Sequence, residues 1–193
     1  MTTYPENNNY RRQRERPLRF SRVSSAAAVK GFGAHAHVSQ GYGKEGSGRF
    51  LSGNEDAVVM RGHHLLCVHG FAGMGYSPAF VQQMGDLVAR VRDEGQDFPI
   101  RVRVGQDAVC RACPHDGGEA CVKSETSDHR VKEMDRRVLH HLHLADGDVL
   151  RKAELLRVTA ERVTPQDLDR LCAGCSWLPL GVCKAGIERL GKG

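Results

Sequence analysis

No run of apolar residues in this 193-residue chain approaches the roughly 18 to 20 needed to cross a bilayer, so a membrane-spanning helix is excluded and no membrane is expected as a partner. A credible secretory signal is missing too. Arg11-Arg12 precedes a Ser/Ala-rich patch and Ala34-His35-Ala36 imitates a cleavage site, but Lys30 interrupts the patch, which is scarcely hydrophobic. The cysteines do not come in an even number: there are seven. A secreted disulfide scaffold would normally show both a signal and an even count. These absences point to a reducing cytoplasm, where clustered thiols more often bind metal. Also lacking are a Walker loop, a nucleophile elbow, a Gly-x-Gly-x-x-Gly that follows a strand and opens a helix, and the radical-SAM spacing Cys-x3-Cys-x2-Cys. Nothing in the sequence therefore decides whether the chain is an enzyme.

Large apolar residues are scarce over residues 1–59, which hold Asn7-Asn8-Asn9, the run RRQRER and a stretch of Gly, Ser, Ala and His. Such a segment buries too little apolar surface to offset the entropy of ordering it, and the expectation is a disordered tail. Met60 stands directly before the first motif, so residues 1–59 can also be read as an over-extended start of translation. The tail carries nine Lys or Arg against five Asp or Glu, four of the five net positive charges of the chain. Residues 60–193 are then nearly neutral, and nucleic acid is not expected as a partner despite a pI near 8.9.

The fold expected of residues 60–193 is mainly α with one or two short strands, a small α+β domain stapled by metal. Ser77-Pro78 is an N-cap followed by proline at the first helical position. Phe80, Val81, Met84, Leu87, Val88 and Val91 follow at helical spacing towards Gly95. Ile100, Val102 and Val104 alternate with Arg101 and Arg103, a strand with one buried face. Helices are predicted at about 128–143, 151–162, 166–171 and 182–190, the first two separated by the Asp146-Gly147-Asp148 turn and the third opened by the cap-then-proline pair Thr164-Pro165.

Between these elements lie CRACPHDGGEAC and CAGCSWLPLGVC, giving Cys110, Cys113 and Cys121, then Cys172, Cys175 and Cys183. Both trios are Cys-x2-Cys-x7-Cys. A two-residue gap lets one tight turn aim two sulfurs at a common centre while backbone N–H groups bond the thiolates. Thiolates gathered this way repel one another and are costly to bury unless a cation neutralises them. Isolated buried cysteines acting as small hydrophobes are the plainer reading of one such pair, but not of two identical trios. Cys110, Cys113, Cys172 and Cys175 alone could form a zinc site, leaving Cys67, Cys121 and Cys183 idle. A [4Fe–4S] cluster takes four thiolates, commonly three from one loop and one from elsewhere, and fits a trio plus Cys67 better. On a helix Cys67 lies one turn after His63 and three residues after His64, so either pair can face one point. His63 and His64 are candidates for an open corner of the centre or for a hydrogen bond to one of its ligands. A core or capping histidine is the plainer reading of each, and of His115 in the first loop.

Arg61-x-His63-His64-Leu65-Leu66-Cys67, the glycine-rich GFAGMGYSPAFV that follows, both trios and DRRVL at Asp135 to Leu139 resemble a family of small bacterial and archaeal proteins called domain of unknown function 1284. The resemblance covers about residues 60–190. It implies an iron–sulfur-binding protein with no established reaction, and puts Cys67, Cys110, Cys113, Cys121, Cys172, Cys175 and Cys183 on matching positions. Family members usually begin near the RxHHLLC motif, and residues 1–59 look like nothing among them. The leading expectation is a cytoplasmic iron–sulfur protein with a redox or sensing role and an unidentified redox or protein partner. Seven thiols cannot complete two all-cysteine sets of four, so a second centre would need another kind of ligand. The alternative is a zinc-stabilised structural or interaction module; a thiol-redox protein is a weaker third, since neither Cys-x2-Cys sits at the strand-to-helix junction of a βαβ unit.

Overall fold

The computed structural model describes residues 57–192, and the expectations for residues 1–56 lie outside them. Among the described residues three short strands form one sheet: β1 (Val58–Arg61), β2 (Pro99–Arg103) and β3 (Val149–Arg151), in the order β1-β2-β3. β1 runs parallel to β2, with Val58 opposite Ile100 and Arg61 opposite Arg103; β3 runs antiparallel, with Leu150 opposite Ile100. Only β2 had enough residues to show a period of two. β1 and β3, four and three residues long, are held by their partner rather than by pattern. β1 begins at Val58, two residues ahead of the boundary drawn from composition.

Seven helices surround the sheet: α1 (His64–Gly70), α2 (Pro78–Arg92), α3 (Ala108–Arg111), α4 (Ser127–His141), α5 (Lys152–Arg162), α6 (Asp167–Leu171) and α7 (Val182–Lys192). The protein is mainly α with a small sheet, as expected. α2 starts where the Ser77 hydroxyl accepts the Phe80 N–H at 3.1 Å, and its stripe of Phe80, Met84, Leu87, Val88 and Val91 is buried. It stops at Arg92 rather than Gly95 because Asp93 turns extended and accepts the Gly95 N–H at 2.9 Å. α4 ends at His141; the chain then turns sharply, with His143 in the left-handed region at φ 56°. Short α3 escaped the sequence reading, since four residues carry no period.

The core gathers Leu66, Met84, Val88, Leu168, Leu171 and Ile187, each at most 1 % exposed. Burying each such side chain contributes about 1.5–3 kcal/mol. One crossing matters most for the site. A Cβ on Gly70 would lie 2.4 Å from Cys183 Cα, and one on Gly186 would lie 2.3 Å from the His69 carbonyl oxygen. Only glycine at both positions lets α1 and α7 approach this closely.

Candidate functional site

The close crossing of α1 and α7 carries Cys67 to the second trio. Cys67 and Cys183 hydrogen-bond through their thiols, which pushes Cys67 well above the ordinary cysteine range and holds Cys183 below it. Cys175 and Cys172 are the next sulfurs to act on Cys67. Cys172 closes α6 by donating its N–H to Leu168 O at 2.9 Å, and Cys175 returns its own N–H to Cys172 O at 2.9 Å. Gly174, at φ 84°, makes that tight turn. The Trp177 N–H in turn donates to Cys175 Sγ at 3.4 Å. Burial, then the neighbouring Cys175 and Cys183, pushes the Cys172 thiol up to about 12. Trp177 is 9 % exposed and packs with Phe71, Tyr76 and Phe80 at centroid distances of 6.2–6.3 Å, screening this region from water.

The first trio has the same spacing and a different setting. Cys110 lies in α3 and Cys113 donates its N–H to Cys110 O at 2.9 Å. Cys121 pairs with Asp116 in an isolated bridge, and its N–H goes to Asp128 Oδ1 at 3.1 Å. Cys113 and Cys121 are half-buried, and burial with the nearby Cys121 pushes the Cys113 thiol up. Cys110 faces Arg61, whose Nη1 donates to its sulfur at 3.1 Å; burial and the Asp107 charge nevertheless push Cys110 up to about 11. The structure gives this trio no fourth cysteine. Tyr76 lies between the two groups: its electrostatic neighbours include Cys175 and Cys67 of one and Cys113 of the other. The His115 ring stands 5.6 Å from Tyr76. Among the described residues, no three His, Cys, Asp or Glu side chains are arranged to hold a metal ion.

His63 and His64 turn to carboxylates. His63 Nδ1 lies 2.7 Å from Asp135 Oδ1, and His64 Nδ1 lies 2.7 Å from Asp107 Oδ2, both carboxylates having fully buried side chains. Asp135 also accepts Arg61 Nη2 at 2.8 Å and the N–H groups of His63 at 3.0 Å and Gly105 at 3.1 Å. Asp107 caps α3 through the Val109 and Cys110 N–H groups and takes the Arg61 N–H at 3.1 Å. Burial would raise both acids; for Asp135 the hydrogen bond and charge of His63, then those of Arg61, outweigh it and bring the pKa to about 2. For Asp107 the charge and hydrogen bond of His64, with the Arg61 and Cys110 N–H groups, outweigh it and hold the carboxyl well below the usual range. Burial, aided by neighbouring His64, lowers His63 to about 4. At neutral pH His63 is therefore an uncharged donor to an ionised carboxylate. The two rings meet edge to face with centroids 4.6 Å apart.

Arg61, Asp107 and Asp135 carry this network, and none of them stood out as a site residue in the sequence. A signal was present for Asp135: it lies one helical turn before Leu139, on the buried face of an otherwise charged helix. Its approach to Arg61 depends on Gly62, where a Cβ would meet the Asp135 carbonyl oxygen at 2.5 Å. Asp107, just past the end of β2, carries no such signal.

The profile of the family described as proteins of unknown function (DUF1284) matches residues 75–181. The chain belongs to this family. The match takes in Cys110, Cys113, Cys121, Cys172 and Cys175, together with Asp107 and Asp135, and ends before Cys183; Arg61, His63, His64 and Cys67 precede it. No curated protein and no solved structure matches the chain. Membership in DUF1284 names no reaction. No helix among the described residues is long and apolar enough to cross a membrane.

Proposed function

We propose that this DUF1284 protein holds an iron–sulfur cluster, a [4Fe–4S] unit, on Cys67, Cys172, Cys175 and Cys183, and serves a redox or sensing role. The observation that carries the reading is the glycine-lined crossing of α1 and α7, which brings Cys67 to Cys183 beside the turn that holds Cys172 and Cys175. Four sulfurs drawn from three separate elements, with Cys67, Cys172 and Cys175 held protonated by burial and by the neighbouring sulfurs, are a poor arrangement for free thiols. They are a chemically suitable donor set for iron. Zinc is the second choice, because a trio joined by one remote cysteine is the donor pattern of a cluster, whereas a zinc site more often pairs one Cys-x2-Cys with another. The cluster would supply one-electron chemistry; the chain's own part is to shield it with Trp177 and Phe71 and to donate the Trp177 N–H to Cys175, the kind of bond that tunes a thiolate ligand.

Cys110, Cys113 and Cys121 are proposed as a second, incomplete donor set. Three thiols leave a position for a non-cysteine ligand, and Arg61 would stabilise the thiolate of Cys110. Anaerobic purification from iron-replete cells tests the assignment. Iron and acid-labile sulfide with broad visible absorption, lost in Cys183→Ser and retained in Cys113→Ser, is the expected result. A colourless protein carrying stoichiometric zinc would replace the cluster by the structural module.

A further inference from the structure

The Arg61–His64 network carries more than support for Cys110. Both imidazoles spend Nδ1 on a buried carboxylate, so Nε2 is the ring nitrogen left for another partner. Among the described residues neither Nε2 has a hydrogen-bond partner. Yet no buried side-chain nitrogen or oxygen among the described residues lacks one. Both Nε2 atoms are therefore open to solvent, on neighbouring rings whose centroids are 4.6 Å apart.

We propose that His63 and His64 form a site for a divalent transition-metal ion, bound through the two Nε2 atoms and distinct from the thiol sets. Imidazole nitrogen suits zinc, copper, nickel and ferrous iron. A ligating histidine almost always gives its other N–H to a carboxylate, which orients the ring and strengthens it as a ligand; here Asp135 and Asp107 do so for His63 and His64, each at 2.7 Å. The local charge favours a cation as well: two buried carboxylates, Asp107 and Asp135, face the single guanidinium of Arg61. A hydrolytic dyad is the other use of an aspartate–histidine pair, but it requires a nucleophile bonded to the free nitrogen, and no hydroxyl or thiol bonds to either Nε2. Two protein nitrogens leave the remaining positions of the ion to water or to an oxygen or nitrogen ligand from solution, so the site is an open one.

This assignment does not rest on the iron–sulfur reading and is tested separately. The full chain, purified with whatever metal its thiols hold, is titrated with nickel and cobalt ions at neutral pH. His63→Asn and His64→Asn are compared with wild type, because the Asn amide keeps a donor near the Nδ1 position and removes Nε2. Expected are one added ion per chain, at least tenfold weaker binding in each variant, unchanged binding when the exposed histidine of α4 is replaced in His129→Asn, and cobalt spectra without thiolate charge transfer. Absence of an added ion, or binding that survives in both Asn variants while circular dichroism shows them folded, overturns the proposal. So does a cobalt spectrum dominated by thiolate charge transfer. If an Asn variant fails to fold, nitrogen NMR of the wild-type imidazoles decides: both Nε2 signals must shift with nickel or zinc, and their failure to move is equally fatal.

Discussion

The two cysteine trios share one spacing and live in different surroundings. Cys172, Cys175 and Cys183 sit where three helices and a tryptophan meet, with Cys67 brought in by close backbone packing. Cys113 and Cys121 lie half-buried in a loop, while Cys110 is turned towards an arginine anchored on Asp135. Apolar packing positions one group, and a buried polar network positions the other. Identical spacing therefore does not imply identical sites.

That contrast can be broken at either end. Asp135→Ala attacks the polar network and should do the most damage, about 3–5 kcal/mol in a denaturant titration, because it strands the Arg61 guanidinium in a site where that residue is only 4 % exposed. Wild-type stability in this variant would show that the network does not hold the fold. Gly186→Ala attacks the packed side: its methyl would collide with the His69 carbonyl, and the forced separation of α1 and α7 should cost about 3 kcal/mol and reduce iron content along with the Cys67 contact. A variant that keeps both would leave Cys67 without its route to the trio.

Smaller effects sharpen the comparison. In metal-free protein, Cys172→Ser places a hydroxyl in a buried position and should destabilise by about 1–3 kcal/mol, whereas Cys121→Ser on the open loop should stay within about 0.5 kcal/mol. Alkylation followed by mass spectrometry should modify Cys113 and Cys121 before Cys67, Cys172 and Cys183, following exposure. The last effect is on pH. Burial lowers both His63 and His69 to about 4, with His64 acting on the first and Arg92 and Arg189 on the second. The unfolded chain takes up these protons near pH 6.5 and the folded chain only near 4, so stability is full above 6.5 and falls as pH drops from 6.5 to 4. A melting temperature flat across that window would contradict it.

How much of this was legible depends on the range over which each feature is encoded. Ser77-Pro78 and the stripe from Phe80 to Val91 specify α2 locally, and the alternation around Val102 specifies β2. β1, β3 and α3 are too short to carry a period and exist because a partner or the Asp107 cap supports them. His63 and His64 were visible as a cluster with Cys67, but the nitrogen that each offers depended on Asp135 and Asp107, 72 and 43 residues away.

Local chemistry written along the chain therefore determined the helical class, the two Cys-x2-Cys-x7-Cys turns and the family motifs, because caps, periodicity and two-residue gaps act over one or two turns of backbone. Which trio receives Cys67, which cysteine meets an arginine and where the histidines point were decided by tertiary structure. Those outcomes depend on backbone approaches at Gly62, Gly70 and Gly186 between segments far apart in sequence, where a single methyl group would have kept the partners apart.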